Sequence, residues 1–140
     1  MKQPHFEDIQ TVRFQHCDPA GIVFYPRYYE MLNLTVEHFF DRCVGYSFNR
    51  LQRDLQVTVP TVRMETDFFV PSVLEDELSF QLSLVRIGRS SLNLQIECHC
   101  AGTLRLRALI TLVCIDVSAK TSTAWPESVR AAIQDLVDKN

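Results

Sequence analysis

The sequence predicts an α+β fold in which one long helix is wrapped by a multi-stranded antiparallel sheet, with a short helix at the C-terminus. Three observations carry this expectation. Between Tyr28 and Cys43 apolar residues recur at helical spacing. From about Val57 onward apolar and polar residues alternate with period two. The last three alternating runs are joined by short turn signals, Gly88-Arg89 and Ala101-Gly102, as an antiparallel meander requires.

Taken in order, Thr11-Val12-Arg13-Phe14-Gln15 alternates and is rich in β-formers, so it reads as a first strand. A turn at Asp18–Gly21 and the apolar run Ile22–Tyr25 follow. Tyr28, Met31, Leu32, Thr35, Val36, Phe39, Phe40 and Cys43 then form one stripe of a long helix, with Arg27, Glu30, Glu37, His38, Asp41 and Arg42 largely off it. Pro26 suits the first helical turn, where a missing N–H is no loss, and Gly45 suits the stop. Ser47–Asp54 reads as a short second helix. Val62, Met64, Thr66 and Phe68 alternate with polar neighbours until Pro71. Leu78 to Leu84, Leu92 to Cys98 and Leu104 to Cys114 repeat the pattern. The long helix is the element available to cover the apolar face of this sheet. Pro126–Val137 reads as a terminal helix. No repeat, linker or low-complexity segment interrupts residues 1–140, which read as one domain.

A chain of 140 residues can bury a sizeable core without disulfides or a metal. Hydrophobic residues make up 46% and charged residues 22%, ordinary globular usage. A net charge of −3 with interspersed signs gives no electrostatic support for nucleic-acid binding. The cysteine count is odd, at five, no apolar leader follows Met1, and no window approaches the roughly 18 apolar residues of a membrane span. The expectation is a soluble, reduced, cytoplasmic protein whose cysteines are small core residues.

The stretch FQHCDPAGIVFYPRYYE, Phe14 to Glu30, sets a single acid in a turn just before the helix. Asp beside Pro often bonds its own backbone in a turn. A carboxylate meant for chemistry would also suit this sheltered setting. The neighbouring His16-Cys17 pair suggests a Cys-His nucleophile, but strand neighbours point to opposite faces, so the three side chains do not converge unless the backbone breaks. His16 can still line a site. In Cys98-His99-Cys100 both thiols fall on one strand face and the imidazole on the other, with no fourth ligand nearby, which argues against a metal. Arg89-Ser90-Ser91 falls in a hairpin turn.

The run Asp18-Pro19-Ala20-Gly21-Ile22-Val23-Phe24-Tyr25-Pro26-Arg27-Tyr28, placed after a short strand and before the long helix, resembles the 4-hydroxybenzoyl-CoA thioesterase family. The order of elements resembles that family over essentially the whole chain. Many related short-chain acyl-CoA thioesterases carry His after the Tyr, where this sequence has Pro26; the Tyr25-Pro26 pair is closer to the 4-hydroxybenzoyl type. The resemblance implies a hotdog fold over residues 1–140 and a homodimer, usually paired into a homotetramer, with active sites at the dimer interface.

It also implies roles. Asp18 would be the catalytic carboxylate, either as nucleophile through a mixed anhydride or as base for a water. The Tyr25 backbone N–H at the helix start would receive the oxyanion. Gly21 would let backbone and substrate approach closely, Pro19 would fix the turn, and Ile22, Val23 and Phe24 would wall the pocket. Arg89 and Ser90 would meet the phosphates of the coenzyme A thioester, with Arg105, Arg107, Ser118 and Lys120 as further candidates. Phe24, Tyr28 and Tyr29 are candidates for an acyl ring, core packing being the default for Tyr28. Glu30 and Glu65 are candidates for a second polar group. No metal or bound cofactor, nucleic acid or membrane partner is implied; coenzyme A arrives with the substrate. The expected function is hydrolysis of an acyl-CoA, most simply an aromatic one. Alternatives are an aliphatic acyl-CoA thioesterase, a hydratase or dehydratase, which would need a His-containing dyad, and a non-catalytic acyl-CoA or acyl-carrier binding protein.

Overall fold

Residues 3–139 are described by a computed structural model. Seven strands, β1 (Phe6–Thr11), β2 (Val57–Thr58), β3 (Thr61–Phe68), β4 (Glu77–Ile87), β5 (Ser91–Cys100), β6 (Thr103–Val113) and β7 (Ile115–Asp116), accompany three α-helices, α1 (Pro26–Phe39), α2 (Phe48–Leu55) and α3 (Glu127–Lys139). Five strands form one antiparallel sheet in the order β1-β4-β5-β6-β3, and β2 pairs with β7 beside it. The stripe on α1 buries Tyr28, Met31, Leu32, Thr35, Val36 and Phe39 against the sheet's inner face of Leu78, Phe80, Leu82, Leu94, Ile96, Leu106, Ala108 and Ile110. This is the hotdog arrangement. Side chains alternate across each strand, so the period-two pattern delivers one continuous apolar face to the helix.

Local chemistry sets the ends of the helices. Past Phe39 the chain widens into a π-helical turn, Phe40–Val44, and stops where Gly45 takes φ +91° and returns its N–H to Phe40 O at 2.8 Å. Only glycine adopts that left-handed conformation at little cost. Ser47 caps α2 by accepting from Arg50 N–H at 3.2 Å. The C-terminal helix buries Val129 and Ile133.

The first strand departs from expectation. It lies at Phe6–Thr11, and the expected segment Thr11–Gln15 leaves the sheet after Thr11 for a 3-10 turn at Phe14–His16. Two acids, Glu7 and Asp8, hide the strand from a pattern search. Asp8 points inward and is buried, yet it is satisfied: His38 Nδ1 lies 2.8 Å and Gln10 Nε2 3.2 Å from Oδ2, Thr35 Oγ1 donates at 3.4 Å, and Arg42 Nη1 is 3.6 Å from Oδ1. A buried charge persists when paired and hydrogen-bonded in this way.

Three bulges interrupt the ladders. Val62 and Val85 are extra residues in β3 and β4 and turn out to solvent, 57% and 65% exposed. In β6, Leu106 faces Cys98 but Leu104 faces His99, which leaves Arg105 as the extra residue. Leu104 therefore leaves the inner stripe assigned to it by simple alternation.

Candidate active site

The Asp18 turn is a small closed loop. Cys17 bridges Val23, Asp18 N–H donates to Ile22 O at 2.9 Å, and Gly21 N–H to Asp18 O at 2.9 Å. Asp18 does bond its own turn, since Oδ1 accepts from Ala20 N–H at 2.9 Å. Among the described residues Oδ2 has no partner. One oxygen thus fixes the carboxylate while the other stays available as a base or nucleophile. Gly21 closes the loop at φ +82°, and a Cβ there would meet nothing within 4 Å. Its requirement within the chain is conformational, not steric.

Two residues past this loop α1 begins. Pro26 has no N–H, while Arg27 N–H and Tyr28 N–H are taken by Phe24 O at 2.8 Å and Tyr25 O at 3.1 Å. Tyr25 N–H meets no acceptor among the described residues. The positive end of the helix dipole therefore offers a single open donor, suited to an oxyanion.

Two apolar hollows flank this segment. One, of about 460 Å³, is lined by Phe14, Cys17, Asp18, Pro19, Gly21 and Leu74. The other, of about 290 Å³, is lined by Ile22, Val23, Tyr25, Tyr28 and the run Phe68–Pro71. The Phe68 ring packs at 5.8 Å from Tyr28 and 6.5 Å from Tyr25 and from Tyr29. Phe14, 84% exposed and expected in the first strand, and the loop residues Phe69, Val70 and Leu74 are site-lining residues that the sequence did not single out. The apolar doublet Phe69-Val70, running beyond the alternating strand up to Pro71, was the signal available for the loop.

Strand alternation does not extend to Cys17. The backbone breaks into the 3-10 turn, so Cys17 and Asp18 line the same hollow. His16 does not join them: its Nδ1 accepts from Arg13 N–H at 2.8 Å, and its carbonyl holds Phe24 N–H. Burial lowers the His16 pKa from its ordinary value; Arg27 and Arg13 add to this and Glu30 opposes it. Phe24 is half-exposed and packs its ring 5.6 Å from Tyr25. Tyr28 is core, as its place on the stripe implies, and burial raises its hydroxyl pKa against hydrogen bonding with Ser72.

Arg89 and Ser90 lie elsewhere. Thr11, next to the Asp18 segment, pairs with Glu77 at the start of β4, whereas the Arg89 turn follows its end. The 11 residues of β4, roughly 33 Å of strand, run from one of these ends to the other within one chain. The turn itself is buttressed: Trp125 N–H donates to Arg89 O at 3.0 Å, Trp125 Nε1 to Ser91 O at 3.1 Å, and Arg130 to Gly88 O. The Arg89 side chain is exposed and makes no ion pair among the described residues.

Arg105 and Arg107 are already engaged, with Asp76 at 3.0 Å and Glu97 at 2.9 Å. Glu30 pairs with Arg27 on the surface and Glu65 with Arg63 on β3. Cys98 and Cys100 are buried on one face, and His99, on the other, meets Glu97 at 3.1 Å. No group of metal-ligating side chains converges among the described residues. Among those residues no helix is long and apolar enough to cross a membrane.

A carboxylate fixed in a turn and an open N–H at a helix start thus sit side by side in the helix-in-sheet architecture of the hotdog class. The chain belongs to the thioesterase-like superfamily, whose profile matches residues 12–133. It is 27% identical over 122 residues to a 1,4-dihydroxy-2-naphthoyl-CoA hydrolase from Nostoc punctiforme, covering 86% of this chain and 80% of that one. It is 27% identical over 84 residues to a 4-hydroxybenzoyl-CoA thioesterase from a Pseudomonas species, 59% of each chain. A crystal structure of a 1,4-dihydroxy-2-naphthoyl-CoA thioesterase from Synechocystis superposes with a TM-score of 0.85 at 23% identity, over 94% of this chain and 97% of that one.

Proposed function

We propose that this protein hydrolyses an aromatic acyl-CoA thioester to the free acid and coenzyme A. The observation that carries the reading is the pairing of a fixed carboxylate, Asp18 with Oδ2 open, and an unused N–H at Tyr25 on either side of one short segment. Asp18 Oδ2 attacks the thioester carbonyl carbon, or takes a proton from the water that does. The carbonyl oxygen gains negative charge and accepts from Tyr25 N–H. The C–S bond then breaks and the thiolate is protonated. In the nucleophilic route a mixed anhydride remains, and water cleaves it to regenerate the carboxylate. One oxyanion donor typically lowers such a barrier by about 2.7–4 kcal/mol. The named substrates of both relatives carry hydroxylated aromatic acyl groups, and the apolar hollows beside Asp18 and Tyr25 suit a ring.

The proposed assembly is a homodimer built along β3, paired further into a homotetramer. β3 is an edge strand, with Phe68, Phe69 and Val70 half-exposed at one end. A two-fold axis at the middle of β3 exchanges its ends. Phe68 lies beside Tyr25, while Thr61 faces Leu112, near the Ser91–Val113 pair and the Arg89 turn. Such an axis carries the partner's Arg89–Ser90 turn toward this chain's Asp18, where an arginine suits the coenzyme A phosphates. That resolves the separation seen within one chain.

The test is thiol release from a panel of aryl- and alkyl-CoA esters by wild type and Asp18→Asn. The expected outcome is hydrolysis of an aryl ester by the wild type and a loss of at least about a hundredfold in the variant with folding intact. Wild-type turnover in the variant would remove Asp18 from the mechanism. Preference for an aliphatic ester would reassign the acyl group.

A further inference from the structure

The bulge in β6 re-aims Arg105, as bulges do next to functional sites. Its side chain turns toward the loop Pro71–Asp76 and is only 13% exposed. Nη1 lies 3.0 Å from each of three acceptors there, Pro71 O, Ser72 Oγ and Asp76 Oδ2. A second donor of the same guanidinium, Nε, is buried without a partner among the described residues. An unpaired donor on a buried cation is costly, so the arrangement is poorly explained by stability alone.

The loop that Arg105 grips holds the Asp18 turn on both flanks. Ahead of the turn, Val12 N–H donates to Asp76 O at 2.9 Å and Glu75 N–H to Val12 O at 2.8 Å. Behind it, Val23 N–H donates to Ser72 O at 2.9 Å, and Ile22 bridges Val73. Ser72 is fully buried, and Asp76 Oδ2 also accepts from Val73 N–H at 2.9 Å. One guanidinium thus sits behind the loop that ties Val12 on one side of the Asp18 turn and Ile22 and Val23 on the other.

We propose that Arg105 is a positioning residue for catalysis: by locking Pro71–Asp76 it sets the separation between the Asp18 carboxylate and the Tyr25 N–H. The inference rests on the thioesterase reading of that site. Arg105 touches neither reacting group and acts through the loop. Misplacing a catalytic group by about 1 Å costs on the order of a hundredfold in rate. Substrate binding through the partner's Arg89 turn, which the Pro71–Asp76 loop does not hold in this chain, would be spared.

The experiment compares kcat and KM for the best aryl-CoA ester in wild type, Arg105→Met and Arg105→Lys, assayed well below each variant's melting temperature. Arg105→Met is expected to lose about a hundredfold in kcat with KM changed less than about threefold. Arg105→Lys, able to reach one or two of the acceptors, is expected to recover about tenfold of that loss. A lower melting temperature with unchanged kcat would make Arg105 merely structural and overturn the proposal. Should Arg105→Met fail to fold, Ser72→Ala and Asp76→Ala each remove one acceptor. A fall in kcat of about tenfold in both supports the proposal, and wild-type kcat in both overturns it. Wild-type protein inactive on every ester would overturn the site reading itself, and this inference with it. An active wild type with an intact Arg105→Met kcat would overturn this inference alone.

Discussion

Asp18 shows how the ordinary and the chemical uses of one side chain coexist. Its Oδ1 makes the bond that any turn-forming aspartate makes, and that bond holds Oδ2 outward. The thiols divide just as sharply. Burial pushes the Cys98 thiol up to about 12 and the Cys114 thiol up to about 11, while Cys17 and Cys43 are partly exposed. The thiolate is the reactive form, so alkylation of the native protein at pH 8 should mark Cys17 and Cys43 and spare Cys98, Cys100 and Cys114 until the chain unfolds. Burial also raises the Cys43 thiol, which should slow its reaction. Saturating coenzyme A should slow Cys17, which lines the hollow that contains Asp18. Peptide mass mapping checks both expectations; uniform labelling of all five thiols would contradict the burial described.

At the scale of elements, two carboxylates tie strands and loops together and give the fold an acid limit. Asp76 is held below the usual range by Val73 N–H and Arg105, against burial, which pushes the other way. Burial works to raise Glu97, but hydrogen bonds from His99 and Arg107 outweigh it and hold that carboxyl low as well. The unfolded chain therefore takes up protons first as pH falls. The stability these groups supply is fully present above about pH 4, the ordinary carboxylate range, and is lost as pH drops through their lower folded values. Thermal melts from pH 7 to pH 2 should show this decline, and Asp76→Asn should start lower and vary less steeply; an identical slope would dissociate Asp76 from it. The helix and the three-strand meander were legible in the sequence because α1 and β4 to β6 each bury one regular face. The first strand was not, because its inward residue is Asp8, whose partners Thr35, His38 and Arg42 sit about thirty residues away. Likewise Asp18, Gly21 and Tyr25 are local and could be read in one glance. The loop at Phe69–Leu74 and the inward turn of Arg105 depend on long-range pairing and a bulge, which alternation does not reveal.

For the whole molecule, the distance between Asp18 and Arg89 means that a proposed two-fold partner completes each site. Interchain complementation tests this. Asp18→Asn and Arg89→Glu chains, each impaired alone, should regain activity on co-refolding, because one site of each mixed dimer combines an intact Asp18 with an intact partner arginine. Random pairing with two-fold symmetry puts the recovery at about a quarter of wild type. No recovery despite mixed dimers would place Arg89 outside the partner's site. The two margins of the sheet differ in a way that bears on this assembly. β3 offers its open edge with an exposed apolar end, whereas β1, at the other margin, carries a charge directed inward and pinned by α1. Inward charges on edge strands discourage further pairing. A sheet adhesive along both borders would propagate into filaments; one adhesive along a single border consumes that border in a symmetric pair and stops growing. Asp8, remote from any chemistry, would on this account keep a crowded solution of the enzyme from polymerising.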